Sequence, residues 1–147
     1  MVKIIGPFQI NTTGTRTTEE VFAAGKYDGK NNMVNGKNFP IRTMFKGTRE
    51  IVLVEFDRDT SSEEVLAEAK RWGLKRPRCE DALFFGEQHP EEQCTAPILF
   101  LRKPAWWRAC VRLFVLVLRC DGGRRTLCLN PFDGGWHQRC RFAFVRP

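Results

Sequence analysis

Residues 49–57 read Arg-Glu-Ile-Val-Leu-Val-Glu-Phe-Asp, and the architecture follows from this stretch. Its centre, Ile51-Val52-Leu53-Val54, has four apolar residues in succession and no polar face. Such a run predicts a strand buried on both faces. Just downstream, Ser61-Ser62-Glu63-Glu64 has capping-box spacing. The helix it starts places Val65, Leu66, Ala69 and Trp72 on one face and stops at Gly73. Pro77 opens a second helix, lined by Ala82, Leu83 and Phe85, which ends before His89-Pro90. Four strand candidates follow: Pro97–Arg102, Val111–Arg119, Arg124–Asn130 and Arg141–Arg146. Gly122-Gly123 and Asp133-Gly134-Gly135 supply turns between them. Leu127 and Leu129 are expected to face in, with Cys128 and Asn130 facing out. Strand, two helices and closing strands make an α+β chain.

Towards the N-terminus the pattern is weaker. Val2–Ile10 reads as a short strand interrupted at Gly6-Pro7. Thr17-Thr18-Glu19-Glu20 is another capping box, starting a short helix that runs to Ala24 before Gly25. Lys26–Pro40 is polar and reads as a loop. Residues 1–48 are therefore expected to form an N-terminal extension packed against a domain spanning 49–147.

The chain has 147 residues, 42% of them hydrophobic and 28% charged, which suits one folded domain with an extension. The longest apolar run, Leu113–Leu118, is six residues. A membrane-spanning helix needs about 20, so no membrane span is expected. The first residues lack the apolar core of a signal peptide, so the default expectation is a cytoplasmic protein. In that setting the six cysteines are expected to be free or solvent-facing.

Composition divides the chain after Lys103. Residues 1–103 carry 8 Lys and 8 Arg against 11 Glu and 4 Asp, a net +1. Residues 104–147 carry 8 Arg, no Lys, no Glu and 2 Asp, a net +6. Lys, Glu, Asp, Asn, Gln, His, Tyr, Thr, Ile and Met all need an adenine in their codons. The first 103 residues hold 51 of these; the last 44 hold six: Asp121, Thr126, Asn130, Asp133, His137 and Gln138. A GC-rich genome would deplete both parts alike. The contrast points to something acting on the 3′ end of the gene, with an Arg-rich strand-forming tail as the plain alternative.

Catalytic chemistry is hard to find. The two serines, Ser61 and Ser62, are both assigned to a helix cap. The two histidines, His89 and His137, have no HExxH spacing. Cys110, Cys120, Cys128 and Cys140 are 10, 8 and 12 residues apart, without a CxxC pair. A zinc site from Cys120, Cys128, His137 and Cys140 is geometrically conceivable but matches structural zinc spacings poorly. The paired glycines follow turn logic, with no phosphate loop. Glu63/Glu64 and Glu91/Glu92 read as solvated helix-start carboxylates. The expectation is no enzyme, no catalytic residue, no metal and no cofactor.

The basic tail supports another class of function. Arg108, Arg112, Arg119, Arg124, Arg125 and Arg139 lie among Trp106, Trp107, Phe114, Phe132 and Trp136. Arginines and aromatics on a sheet are what a basic single-stranded nucleic-acid-binding module uses. Against it, the aromatics lack the spacing of known RNA-binding sheets, and Lys is missing from the tail.

Several segments resemble a group of small bacterial proteins. One is Arg76-Pro77, then Leu83-Phe84-Phe85-Gly86-Glu87-Gln88-His89-Pro90-Glu91-Glu92-Gln93, then Pro97-Ile98-Leu99-Phe100-Leu101, which is similar to their pattern "RPA…LLAFGEQHPELQ…FPIVALGS". The other is Leu127-Cys128-Leu129-Asn130-Pro131-Phe132-Asp133-Gly134-Gly135-Trp136 with Cys140-Arg141-Phe142-Ala143-Phe144-Val145-Arg146, similar to "LNLNWFDNDW…CRFAAVR". Gly25-Lys26-Tyr27-Asp28 and Asn38-Phe39-Pro40 also look like that group. The ending is similar to the variable proteins of diversity-generating retroelements. There, a reverse transcriptase copies a template repeat, randomises its adenines and overwrites the 3′ end of the target gene. Randomised AAY codons never yield Lys, Glu, Met or Trp, and they enrich Arg, Cys and Gly. The chain departs from the pattern at Arg102-Lys103, where Gly-Ser is usual, and at Pro131, where Trp is usual.

The resemblance implies a C-type lectin-like domain with a variable C-terminal segment of about 108–140. It implies ligand binding without catalysis, with an unknown protein or surface ligand as partner. Its scaffold would rest on Ile51–Val54, Leu66, Trp72, Leu83, Phe85, Ile98, Leu127, Leu129, Trp136, Phe142 and Phe144. The binding face would be Arg119, Cys120, Thr126, Cys128, Asn130, Pro131, Gly134, Gly135, His137, Gln138, Arg139 and Cys140. In such a fold, the strand near Arg49–Asp57 pairs antiparallel with Arg141–Arg146.

Overall fold

The computed structural model describes residues 1–12, 15–41, 47–102 and 114–147. Nine strands and three α-helices run in the order β1 (Val2–Thr12), α1 (Thr18–Ala24), β2 (Gly29–Lys30), β3 (Gly47–Phe56), β4 (Thr60–Ser61), α2 (Ser62–Arg71), α3 (Cys79–Gln88), β5 (Ile98–Phe100), β6 (Phe114–Asp121), β7 (Arg124–Pro131), β8 (Gly135–Trp136) and β9 (Arg141–Val145). A single 3-10 turn, Glu92–Cys94, separates α3 from β5. Seven strands form one sheet ordered β1-β3-β9-β5-β6-β7-β2, and β4 pairs with β8 apart from it.

The apolar run of β3 lies inside this sheet, and Ile51, Val52, Leu53 and Val54 are all buried. Alternation sends Ile51 and Leu53 to one face, with α1 and α3, and Val52 and Val54 to the other, with α2. β3 pairs antiparallel with β9, Val52 opposite Phe144 and Val54 opposite Phe142. The predicted pairing of these distant segments is present. β9 then pairs parallel with β5, so it sits between two strands.

Both capping boxes form. Thr17 Oγ1 accepts from Glu20 N–H while the Glu20 carboxylate accepts from Thr17 N–H. Ser61 and Glu64 repeat this at α2. Ser62 does not cap; its hydroxyl donates to the Phe132 carbonyl at 2.7 Å. α3 is buried nearly all round, including Glu80 and Asp81. Arg49 holds the Asp81 carboxylate through two hydrogen bonds, at 2.8 and 3.0 Å.

Three expectations change. The strand expected over Val2–Ile10 is longer: β1 has eleven residues and pairs with β3 from Val2–Phe56 to Thr12–Gly47, broken at Gly6-Pro7 as expected. The register shifts between Ile5 and Phe8, where Gly6 takes φ +111, a conformation open to glycine. Pro7 costs no ladder bond on an edge strand. Residues 1–48 thus place a strand in the main sheet itself. Lys26–Pro40 is mostly irregular, yet it buries Tyr27, Val34 and Phe39 over the α3-side core and contributes β2. Trp72 is 55% exposed and tied by its indole N–H to Glu68. The helix closes with Gly73 at φ +70, Gly73 N–H bonding Lys70 O and Leu74 N–H bonding Ala69 O. In this closure the residue after the glycine packs back on the helix, so Leu74 takes the place expected for Trp72.

Candidate functional site

β6 and β7 form a hairpin whose turn, Gly122-Gly123, has positive φ at both positions, as a tight right-twisting connection requires. Val115 faces Asn130, Val117 faces Cys128 and Arg119 faces Thr126. Val115 and Val117 belong to the α2-side core, so Thr126, Cys128, Asn130 and Arg119 share that side. Downstream, Trp136 is 7% exposed and pairs with Thr60, leaving Gly134, Gly135, His137, Gln138 and Arg139 exposed around it. Cys140 is half-buried. Ten of the twelve predicted positions therefore lie along the α2 side of the hairpin or in the loop flanking Trp136. Pro131 stands opposite Phe114, and Cys120 opposite Arg125, on the alternate parity.

Cys120 is a correction. It forms a disulfide with Cys94, whose 3-10 turn packs on β6. Its side chain points towards that turn because parity sends it away from Arg119. This bond also removes Cys120 from the conceivable zinc set. Cys128 is a second correction: it is half-buried against the α2-side core, because both faces of the sheet are covered. Leu129 is likewise only partly buried. Trp106, Trp107, Arg108, Cys110 and Arg112 lie outside the described residues, as do 108–113 of the segment expected to vary.

Side chains from residues 1–102 hold the tail by its backbone. Gln93 Nε2 donates to the Arg119 carbonyl at 2.7 Å and the Thr126 carbonyl at 3.3 Å. Asp28 accepts from Arg125 N–H at 2.7 Å, and Asp59 from Gln138 N–H at 2.9 Å. Ser62 holds Phe132 O. Among the described residues, no side chain of the twelve predicted positions hydrogen-bonds or ion-pairs with residues 1–102; the Cys120 disulfide is the exception. Tail side chains that do reach back are at other positions. Arg125 donates to Gly25 O, Gly86 O and Gln93 Oε1 and lies over the Tyr27 ring. Arg141 pairs with Glu55 at 2.6 Å. Sequence reading gave Asp28, Asp59 and Gln93 no role, although Asp28 and Gln93 lie in the segments that carry the resemblance, since a side chain that bonds distant backbone has no local signature.

A cleft of about 340 Å³ opens where the end of β6 meets the 3-10 turn and the 137–140 loop. Of the predicted positions it gathers Arg119, Cys120, His137, Arg139 and Cys140. Burial pushes the Cys140 thiol pKa up, against the pull of Arg119 and Arg139. The thiol is therefore held protonated, and it is a poor nucleophile.

Of the aromatics expected for stacking on nucleic acid, the three among the described residues are not fully open platforms. Trp136 is buried and Phe114 and Phe132 are partly buried. Arg125 is used internally. No helix among the described residues is long and apolar enough to cross a membrane. Comparison with protein families, with curated proteins and with solved structures finds no match.

Proposed function

We propose that this chain is a ligand-binding protein on a C-type lectin-like domain. Its C-terminal segment, about 108–140, is a hypervariable surface diversified by a retroelement, and its partner is a protein or surface ligand. The observation that carries this reading is the division of labour in the tail. Scaffold side chains grip the tail backbone at Arg119, Arg125, Thr126, Phe132 and Gln138, and a backbone bond is indifferent to the side chain it carries. Apart from Cys120, which is bonded to Cys94, the positions whose side chains hydrogen-bond or ion-pair with the scaffold, Arg125, Trp136 and Arg141, fall outside the twelve predicted to vary. The residue contrast across Lys103, 51 of 103 against six of 44, supports the same view at the level of codons.

The test is the surrounding DNA. A near-copy of the bases encoding 108–140 is expected close to the gene, with a reverse transcriptase gene beside it. Differences between the copies should fall at template adenines. Differences spread evenly over all four template bases would overturn the reading.

A further inference from the structure

The cleft at the end of β6 has a definite electrostatic character. Arg119 and Arg139 line it, and among the described residues Asp121 is its one acidic group. Among the described residues, neither guanidinium has a hydrogen-bond or ion-pair partner. Arginine presents a planar fork of N–H donors suited to oxyanions, and a half-enclosed site strengthens that attraction over open water. His137 adds a donor. Its Nδ1 accepts the Arg139 backbone N–H at 3.1 Å, so in the neutral ring the proton is on Nε2.

Two features narrow the class of anion. Two arginines against one aspartate leave a single positive charge, which matches a monoanion better than a doubly charged phosphate. Ala96, Pro97 and the Cys94–Cys120 bridge give the cleft an apolar wall, fit for the methylene stem of a side chain. Among the described residues no Phe, Tyr or Trp lines it, so it lacks the broad rings on which single-strand binders stack successive bases. We propose that this cleft binds a carboxylate, presented by a glutamate or aspartate side chain of an acidic peptide segment. The proposal rests on the binding reading above and names the chemistry of its ligand.

The experiment is calorimetric titration of the full chain with a short oligoglutamate peptide, with oligoserine as control. Binding to oligoglutamate alone is expected, weakening as salt rises. Arg119→Ala and Arg139→Ala should each weaken it roughly tenfold, the loss expected for a charged hydrogen bond. Arg124→Ala, on the exposed hairpin turn outside the cleft, should leave it unchanged. Melting curves check that the variants fold; if Arg119→Ala does not, Arg139→Ala on its exposed loop carries the test. An equal loss for Arg124→Ala would mean diffuse charge attraction and overturn the proposal. So would tighter binding of inorganic phosphate, or displacement of the peptide by oligothymidylate. Absence of any peptide binding overturns the carboxylate site while leaving the diversified-surface reading to the DNA comparison.

Discussion

The indole N–H of Trp136 donates to the Ser62 hydroxyl at 2.8 Å, and that hydroxyl in turn donates a hydrogen bond to the Phe132 carbonyl. A fully buried serine at the start of α2 thus ties together two points of the tail, 70 and 74 residues away. Ser62→Ala leaves both partners unpaired in the interior. The expected cost is about 1–3 kcal/mol, read as a shift in the urea unfolding midpoint. A shift near zero would show that water replaces the hydroxyl.

Scaffold and face should separate under mutation. Phe144→Ala and Trp136→Ala are expected to cost about 3–5 kcal/mol, because both are buried in the α2-side core. His137→Ala and Arg139→Ala, both exposed, should stay within about 0.5 kcal/mol. Cys128→Ala should fall between, at about 1 kcal/mol, since the thiol is half-buried against that core. Denaturant melts of the five variants decide this. His137 or Arg139 matching the aromatics would mark the loop as structural.

Reducing the Cys94–Cys120 bond releases a loop of 26 residues. Chain-entropy reasoning puts the loss at about 3–4 kcal/mol. Denaturant melts with and without a thiol reductant measure it, and a Cys94→Ser/Cys120→Ser double variant should show no further effect of reductant. Identical melts would mean the bond adds nothing to the fold.

Tyr27 sets an alkaline limit. Burial raises its phenol pKa well above the ordinary value, with Arg125 pulling the other way. The folded state therefore favours the neutral ring. Its contribution is complete below about pH 10, where a free phenol titrates, and is lost as pH climbs from there towards the raised value. Tyr27 is the one tyrosine in the sequence, so phenolate absorbance reports it alone. Ionisation is expected only together with unfolding. A phenolate signal near pH 10 with the fold intact would contradict the burial.

Arg125 differs from its neighbour Arg124. Arg125→Ala abandons three backbone carbonyls, Gly25, Lys26 and Gly86, as well as Gln93, and about 2–4 kcal/mol should be lost. The acceptors are spread around a planar fork that a single lysine nitrogen cannot reproduce, so Arg125→Lys should recover little. Arg124→Ala, exposed, should cost within about 0.5 kcal/mol. Equal stabilities at the two positions would remove the anchoring role.

Much of this was legible where a local rule is complete within a few residues. Thr17 with Glu20 and Ser61 with Glu64 carry all the groups their caps need, and the caps form. Ile51–Val54 has no polar face to place in water, and it is buried on both. The expectations that changed depend on partners elsewhere. Trp72 lay on the right helical stripe, but Leu74 beyond the glycine packs there instead. Cys120 looked solvent-facing until the 3-10 turn of Cys94 is set beside β6. β1 was legible as a strand broken at Gly6-Pro7, but its full length and its place at the sheet edge beside β3 depend on that distant partner. For the face, strand alternation placed Cys128 and Asn130 together; that Arg119 joins them needed the β6–β7 register, and the depth of Cys128 needed the second covered side of the sheet.

β9 lies between β3 and β5, yet it is translated after every position of the candidate face. A stop codon or frameshift anywhere in 108–140 therefore deletes an interior strand. The sheet would part into β1-β3 on one side and β5-β6 with whatever remains of β7 on the other, and both cores would open to water. Such a product has no route to a stable fold and becomes prey for proteases. Under the proposed diversification, this geometry would act as an inspection step: only a tail copied in frame delivers the strand that lets the molecule exist.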